Sequence, residues 1–160
     1  MAEVVAGRRN PWTLAACVAL MLGGGTAIGA LTGPDAWYAA LAKPSFNPPN
    51  WVFAPVWSTL YVMIGVAGWL VWTHARSSLA MKLWWLQLVL NFCWSPAFFS
   101  LHSLGLALAI IVVLLGTIWA FVAATARRLP AAALLFVPYG LWVLFATVLN
   151  AALFILNRTA

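Results

Sequence analysis

The residues of this chain with types suited to chemistry are few, and most sit inside apolar runs. Gln87, Asn91 and Asn150 are amides within such runs, and Trp57, Tyr61, Trp94, Tyr139 and Trp142 share the same stretches. An amide in hydrocarbon is costly unless it is paired or turned towards a cavity. Two readings are open for each: hydrogen-bond glue between helices, or the wall of a pocket. Flat aromatic walls with a few hydrogen-bonding groups suit a large planar apolar ligand. Acid–base chemistry finds no support. His74 and His102 fall in loops on opposite sides, as do Glu3 and Asp35, so neither a shared metal nor a carboxylate pair is expected. No Ser/His/Asp set, Cys/His cluster or phosphate-binding glycine loop can be assembled. No run carries an ionisable residue near its middle, which argues against a proton-coupled pump and excludes an axial His for haem. Cys17 and Cys93 lie in apolar segments and read as small buried hydrophobes.

The elements that must position these residues follow from hydropathy. The 160 residues are 66% hydrophobic and 6% charged, with a mean hydropathy of +1.01, whereas soluble domains carry about 25% charged residues. A helix needs about 20 apolar residues to cross a bilayer. The chain therefore reads as one all-α transmembrane domain over 1–160, a bundle of five transmembrane helices at about 11–31, 51–73, 81–101, 104–126 and 130–156. A Pro- and Gly-rich loop at 32–50 separates the first two spans and contains a helix-compatible piece, Asp35 to Ala42. A cleaved signal peptide is the alternative reading of the first run, with Ala27-Ile28-Gly29 as the cleavage site. Gly25-x-x-x-Gly29 in the same run suits close helix packing, and Pro96 and Pro138 should bend their spans.

The net charge of +6 does not point to nucleic acid, because the cations are dispersed between the apolar runs. Arg8, Arg9, Arg76, Lys82, Arg127 and Arg128 fall on one side and only Lys43 and Arg158 on the other. Positive-inside bias then favours a cytoplasmic N-terminus and a bacterial inner membrane. Of the 11 Trp residues, Trp12, Trp51, Trp72, Trp84 and Trp85 lie near span ends and read as interfacial anchors. Trp57, Trp94 and Trp142 lie deeper. Helical spacing puts Trp57, Tyr61, Gly65, Gly68 and Trp72 on one face. It does the same for Gln87, Asn91, Trp94/Ser95 and Phe98, and for Tyr139, Trp142, Ala146 and Leu149/Asn150. Three such faces should converge.

The first loop and the start of the second span carry Trp37-Tyr38, Leu41, Lys43-Pro44, Phe46, Pro48-Pro49, Phe53, Trp57 and Leu60-Tyr61. This resembles the signature WYxxLxKPxWxPPxxxFxxxWxxLY of the TspO/MBR family, the bacterial tryptophan-rich sensory proteins and the mitochondrial translocator protein or peripheral benzodiazepine receptor. The third span adds Gln87, Leu90-Asn91, Trp94, Pro96 and Phe98-Phe99, and the fifth adds Pro138-Tyr139, Trp142, Phe145-Ala146-Thr147 and Leu149-Asn150. Phe46 stands where the family more often has Trp, and the sterol motif of animal members is incomplete because Phe154 is the one aromatic between Leu149 and Arg158. The resemblance implies a homodimer in contact with membrane lipids, with a cavity under the first loop. It implies that the cavity binds porphyrins such as protoporphyrin IX and haem-type tetrapyrroles, and synthetic benzodiazepine-site ligands. On matching positions the pocket would comprise Tyr38, Phe53, Trp57, Asn91, Trp94, Phe98, Trp142, Phe145, Ala146 and Leu149. The implied role is a receptor or carrier with no obligatory cofactor. Alternatives are light- and oxygen-dependent porphyrin breakdown through Trp57 and Trp142, or a lipid- or sterol-interacting scaffold.

Overall fold

Local capping chemistry starts the helices. In the computed structural model residues 10–158 are described; Glu3, Arg8 and Arg9, part of the charge reading, lie outside the described residues. Helix α1 (Pro11–Leu31) is capped by Asn10, whose Oδ1 accepts the Trp12 N–H at 3.0 Å, and Pro11 fills the first turn, where no N–H is needed. Asp35 caps the short α2 (Ala36–Ala40) through the Tyr38 N–H at 2.9 Å. A 3-10 turn, Asn50–Val52, leads into α3 (Phe53–Ala75). Ser78 caps α4 (Leu79–Ser95), Ser103 caps α5 (Leu104–Thr125), and Pro130 opens α6 (Pro130–Leu156).

Every regular element among the described residues is helical, so the all-α class stands, but the expected count of five helices is off. Six α-helices form among the described residues, and four of these are long and apolar enough to cross a membrane: Pro11–Leu31, Asn50–Ala75, Leu104–Thr125 and Pro130–Leu156. The short α2 lies in the first loop. The expected third span is an α-helix for only 17 residues, as far as Ser95. Pro96 has no N–H to return to the preceding turn, and the chain passes into a π-turn, Pro96–Ser100, closed by the Leu101 N–H on the Pro96 carbonyl at 2.9 Å. His102 then adopts φ 50°, turning the chain towards α5.

Small residues set how closely the helices approach. A Cβ on Gly65 would lie 2.7 Å from the Val18 Cα, so α1 and α3 approach backbone to backbone there. Gly25 lies under the Tyr61 ring, but a Cβ on Gly29 would meet nothing within 4 Å. Only the first glycine of the Gly25-x-x-x-Gly29 pair packs. Gly68 receives the Trp84 ring, whose indole N–H donates to the Ile64 carbonyl at 3.0 Å. Trp84 is thus a core residue, 1% exposed, and not an interfacial anchor. Trp12 and Trp51 are exposed at helix ends, as anchoring requires, and Trp72 lies under the Arg76 guanidinium. Two smaller expectations change: His74 belongs to the last turn of α3, and Cys93 faces outward while Cys17 is half-buried. Phe121 and Phe136 stack at 3.9 Å between centroids where α5 meets α6.

Candidate ligand-binding site

A cavity of about 440 Å³ lies between α1, α3, α4 and α6 beneath the first loop. That is within the range of about 300–1,000 Å³ usual for small-molecule sites. From α3 come Phe53, Trp57, Ser58 and Tyr61; from α4 and its π-turn come Asn91, Trp94, Ser95, Phe98 and Phe99; from α6 come Ala146, Leu149, Asn150 and Leu153. Tyr38 closes it from the loop, and α1 contributes a small-residue wall including Gly25, Thr26 and Gly29. The π-turn matters here, because its extra residue per turn lets successive aromatics crowd one side. Trp94 lies 5.2 Å from Phe98 between centroids, and Phe98 lies 4.7 Å from Phe99. Trp57 faces Tyr61 at 5.3 Å. None of the lining residues is Asp, Glu, Lys, Arg or His.

The amides serve as both glue and wall. Tyr139 OH donates to Gln87 Oε1 at 3.0 Å and accepts from Asn91 Nδ2 at 2.9 Å, joining α6 to α4. Asn91 Oδ1 accepts from Tyr61 OH at 3.4 Å, which ties in α3. The chain runs from the cavity wall, at Tyr61 and Asn91, to Gln87, which is fully buried with no partner for Nε2. Asn150 accepts from the Trp94 indole at 3.2 Å and donates to the Leu104 carbonyl at 3.1 Å. Asn91 Nδ2 is bonded to Tyr139, which is not among the lining residues, and its Oδ1 to Tyr61, which is.

The loop above the cavity is fastened at several points. Thr32 and Ser95 share a hydroxyl hydrogen bond of 2.6 Å. Asp35 Oδ2 meets His102 Nε2 at 2.9 Å, and the His102 ring stacks on Trp37 at 4.4 Å. The Asn157 side chain accepts the Ala42 N–H at 3.0 Å and donates to the Ala42 carbonyl at 3.1 Å. Lys43 Nζ binds the carbonyls of Tyr38, Ala39 and Leu41 at 2.6, 3.0 and 3.2 Å, satisfying the end of α2. The Tyr38 N–H, and then His102, hold the Asp35 carboxyl below the usual carboxylate range, and burial pushes the Tyr38 phenol up. Both loop residues of the Asp35–His102 pair were legible as lying on one side; their pairing across the fold was not.

Of the expected pocket residues, Tyr38, Phe53, Trp57, Asn91, Trp94, Phe98, Ala146 and Leu149 come together around the cavity. Trp142 and Phe145 do not line it. Phe53 lies against Trp142 at 5.9 Å, and Phe145 lies 5.5 Å beyond Trp142, so the two form an aromatic layer behind the wall. The α6 face turned inward is instead Ala146, Leu149, Asn150 and Leu153. Sequence reasoning missed the α1 wall altogether, since a uniformly apolar helix shows no face.

These features define a helical membrane protein with an uncharged, aromatic internal cavity roofed by its first loop. Comparison with known proteins gives the family: the TspO/MBR family profile matches residues 16–156, and the chain belongs to that family. It is 41% identical to the tryptophan-rich protein TspO of Chlorobaculum tepidum over 155 residues, covering 91% of this chain and 96% of that protein. It is 40% identical to the tryptophan-rich sensory protein of Cereibacter sphaeroides, over 86% of this chain and 84% of that one. It is also 40% identical to the human translocator protein, over 71% of this chain and 70% of that one. With four long apolar helices, this family membership makes the chain a multi-pass integral membrane protein.

Proposed function

We propose that this chain is a membrane receptor or carrier for porphyrins, with protoporphyrin IX or a similar tetrapyrrole held by stacking inside the bundle. The observation that carries the reading is the cavity: Trp57, Trp94, Phe98 and Tyr38 offer aromatic surface, Asn91 and Asn150 add a few polar atoms, and no charged side chain lines it. Ring faces gain from stacking there, while ionised propionates would remain at the mouth, since burying an unpaired charge is costly. The names of the relatives, translocator and sensory protein, agree with a role in moving or sensing a ligand. In this reading α4 with its π-turn is the fifth crossing. The chain pairs as a homodimer in a bacterial inner membrane, with its N-terminus cytoplasmic.

The same cavity favours one second reading, because Trp57 lines it and lies 5.3 Å from Tyr61 between rings. In that reading the light-excited porphyrin is the molecule oxidised, dioxygen is the oxidant that is reduced, and Trp57 relays the electron between them. A titration of purified protein with protoporphyrin IX in the dark and under light separates the two. Saturable quenching with an unchanged porphyrin spectrum supports binding alone. A new absorbing product in light, lost in Trp57→Phe and retained in Trp142→Phe, supports breakdown. No saturable binding in either condition refutes both.

A further inference from the structure

We infer that ligands reach this cavity sideways from the bilayer, through an opening between α1 and α3, and not through the first loop. The route deepens the binding reading, yet it concerns the cavity itself and stands whether or not its occupant is a porphyrin.

Helical register locates the opening. Residues seven apart return to one face of a helix, as do residues four apart. On α3, Ser58 shares its face with Gly65, and Ala54 shares its face with Tyr61. Lower in the bundle that face is shut: Gly65 is buried against Val18, and Tyr61 covers Gly25. One to two turns higher, Ser58 and Ala54 line the cavity and are also exposed on the outside of the bundle. Helix α1 behaves in the same way. Gly25 is buried, whereas Gly29 and Thr26 are both cavity-lining and exposed, and a Cβ on Gly29 would meet nothing within 4 Å. The seam between the helices therefore opens towards the loop end, and its four rim residues, with Asn50 above them at the start of the 3-10 turn, belong to cavity and outer surface at once.

The rim suits a passage through lipid. Ser58 Oγ donates to the Ala54 carbonyl at 2.8 Å, so its hydroxyl is satisfied within its own helix. No rim residue is charged. Thr26 lies five residues before the end of α1 and Ser58 five after the start of α3, which is about 8 Å along each axis. The deeper part of the opening then lies within the hydrocarbon of the leaflet beneath the loop, and Gly29 and Ala54, one to two residues from their helix ends, border its interface. From above, the loop is held by the Thr32–Ser95, Asp35–His102 and Asn157–Ala42 contacts, at 2.6 to 3.1 Å. The class of ligand that follows is a flat, largely apolar molecule partitioned into that leaflet, with any ionised group left at the headgroups.

The test uses Ala146→Cys as a reporter at the cavity wall, in full-length protein with Cys17→Ala and Cys93→Ala, reconstituted in phosphatidylcholine vesicles. The probe is pyrene maleimide dissolved in the bilayer, and the readout is the rate of thiol alkylation. Ser58→Trp should slow the reaction at least about tenfold by filling the seam, and Gly29→Leu should slow it as an independent variant on the facing helix. Loosening the loop with Asp35→Ala and Asn157→Ala together should leave the rate unchanged. The inference is overturned if the two seam variants react at the parent rate while the loosened loop reacts faster. A reporter that never reacts from the bilayer overturns it as well. Failure of porphyrin binding in the titration above leaves this assay intact.

Discussion

Tyr139→Phe removes one oxygen and breaks two interhelical bonds at once. Its hydroxyl links Asn91 Nδ2 at 2.9 Å to Gln87 Oε1 at 3.0 Å, and both amides are buried. Gln87 already has its Nε2 unpartnered, so with the hydroxyl gone both of its amide atoms are left unpaired whichever way the amide is turned. Interhelical hydrogen bonds inside membranes average about 0.6 kcal/mol and reach about 1.7, while a buried group left unsatisfied costs about 1–3 kcal/mol. Tyr139→Phe should therefore destabilise the bundle by about 1–3 kcal/mol. Gln87→Leu alone should cost less, because it also removes the unpartnered amide. Combining it with Tyr139→Phe puts apolar groups on both sides of that bond, so the double variant should be more stable than the sum of the singles by about 1 kcal/mol. Unfolding in mixed micelles followed by tryptophan fluorescence measures all four proteins. Additivity within about 0.3 kcal/mol would refute the chain of bonds as an energetic unit.

Gly65→Ala should destabilise by about 1–3 kcal/mol, since its methyl would lie 2.7 Å from the Val18 backbone, whereas Gly29→Ala, which meets nothing, should be neutral or stabilising; thermal unfolding of both checks this. Asn157→Ala should raise hydrogen exchange at Ala42 and around α2, since one side chain supplies both bonds to Ala42. The lowered pKa of the Asp35 carboxyl means that its contribution to holding the loop is complete above the ordinary carboxylate range. That contribution is lost only as pH falls through the depressed value, so the protection factors of the Tyr38 and Ala39 amides, taken relative to the intrinsic exchange rate at each pH, should be flat down to about pH 4 and fall below it. A fall beginning near neutrality would contradict the assignment.

How much of this was legible in the sequence depends on what each residue had to signal. Amides and aromatics at helical spacing gave Asn91, Asn150, Tyr139 and Trp94 an inward face, because a polar atom at membrane depth has few places to go. Pro96 marked a break in its span, although periodicity could not show that it would become a π-turn gathering Trp94, Phe98 and Phe99. Trp84 was misassigned because nearness to a span end does not distinguish an anchor from a ring that finds a glycine, and Gly68 lies on another helix. Trp142 and Phe145 share a helix face with the wall but pack against Phe53 and Phe46 respectively, contacts across the fold. The wall built by α1 was not legible as a wall: Gly25-x-x-x-Gly29 signalled close packing, but only Gly25 packs, under Tyr61, while Gly29 leaves space.

Ala146 stands at the cavity wall as its smallest α6 residue. The most direct test of the cavity as the binding site is equilibrium titration of reconstituted protein with protoporphyrin IX in the dark, comparing the parent chain with Ala146→Phe. The account predicts saturable binding to the parent and a loss of at least about tenfold, or about 1.4 kcal/mol, when the phenyl ring occupies the space. Equal affinity in the two proteins, or no saturable binding to the parent, would contradict it.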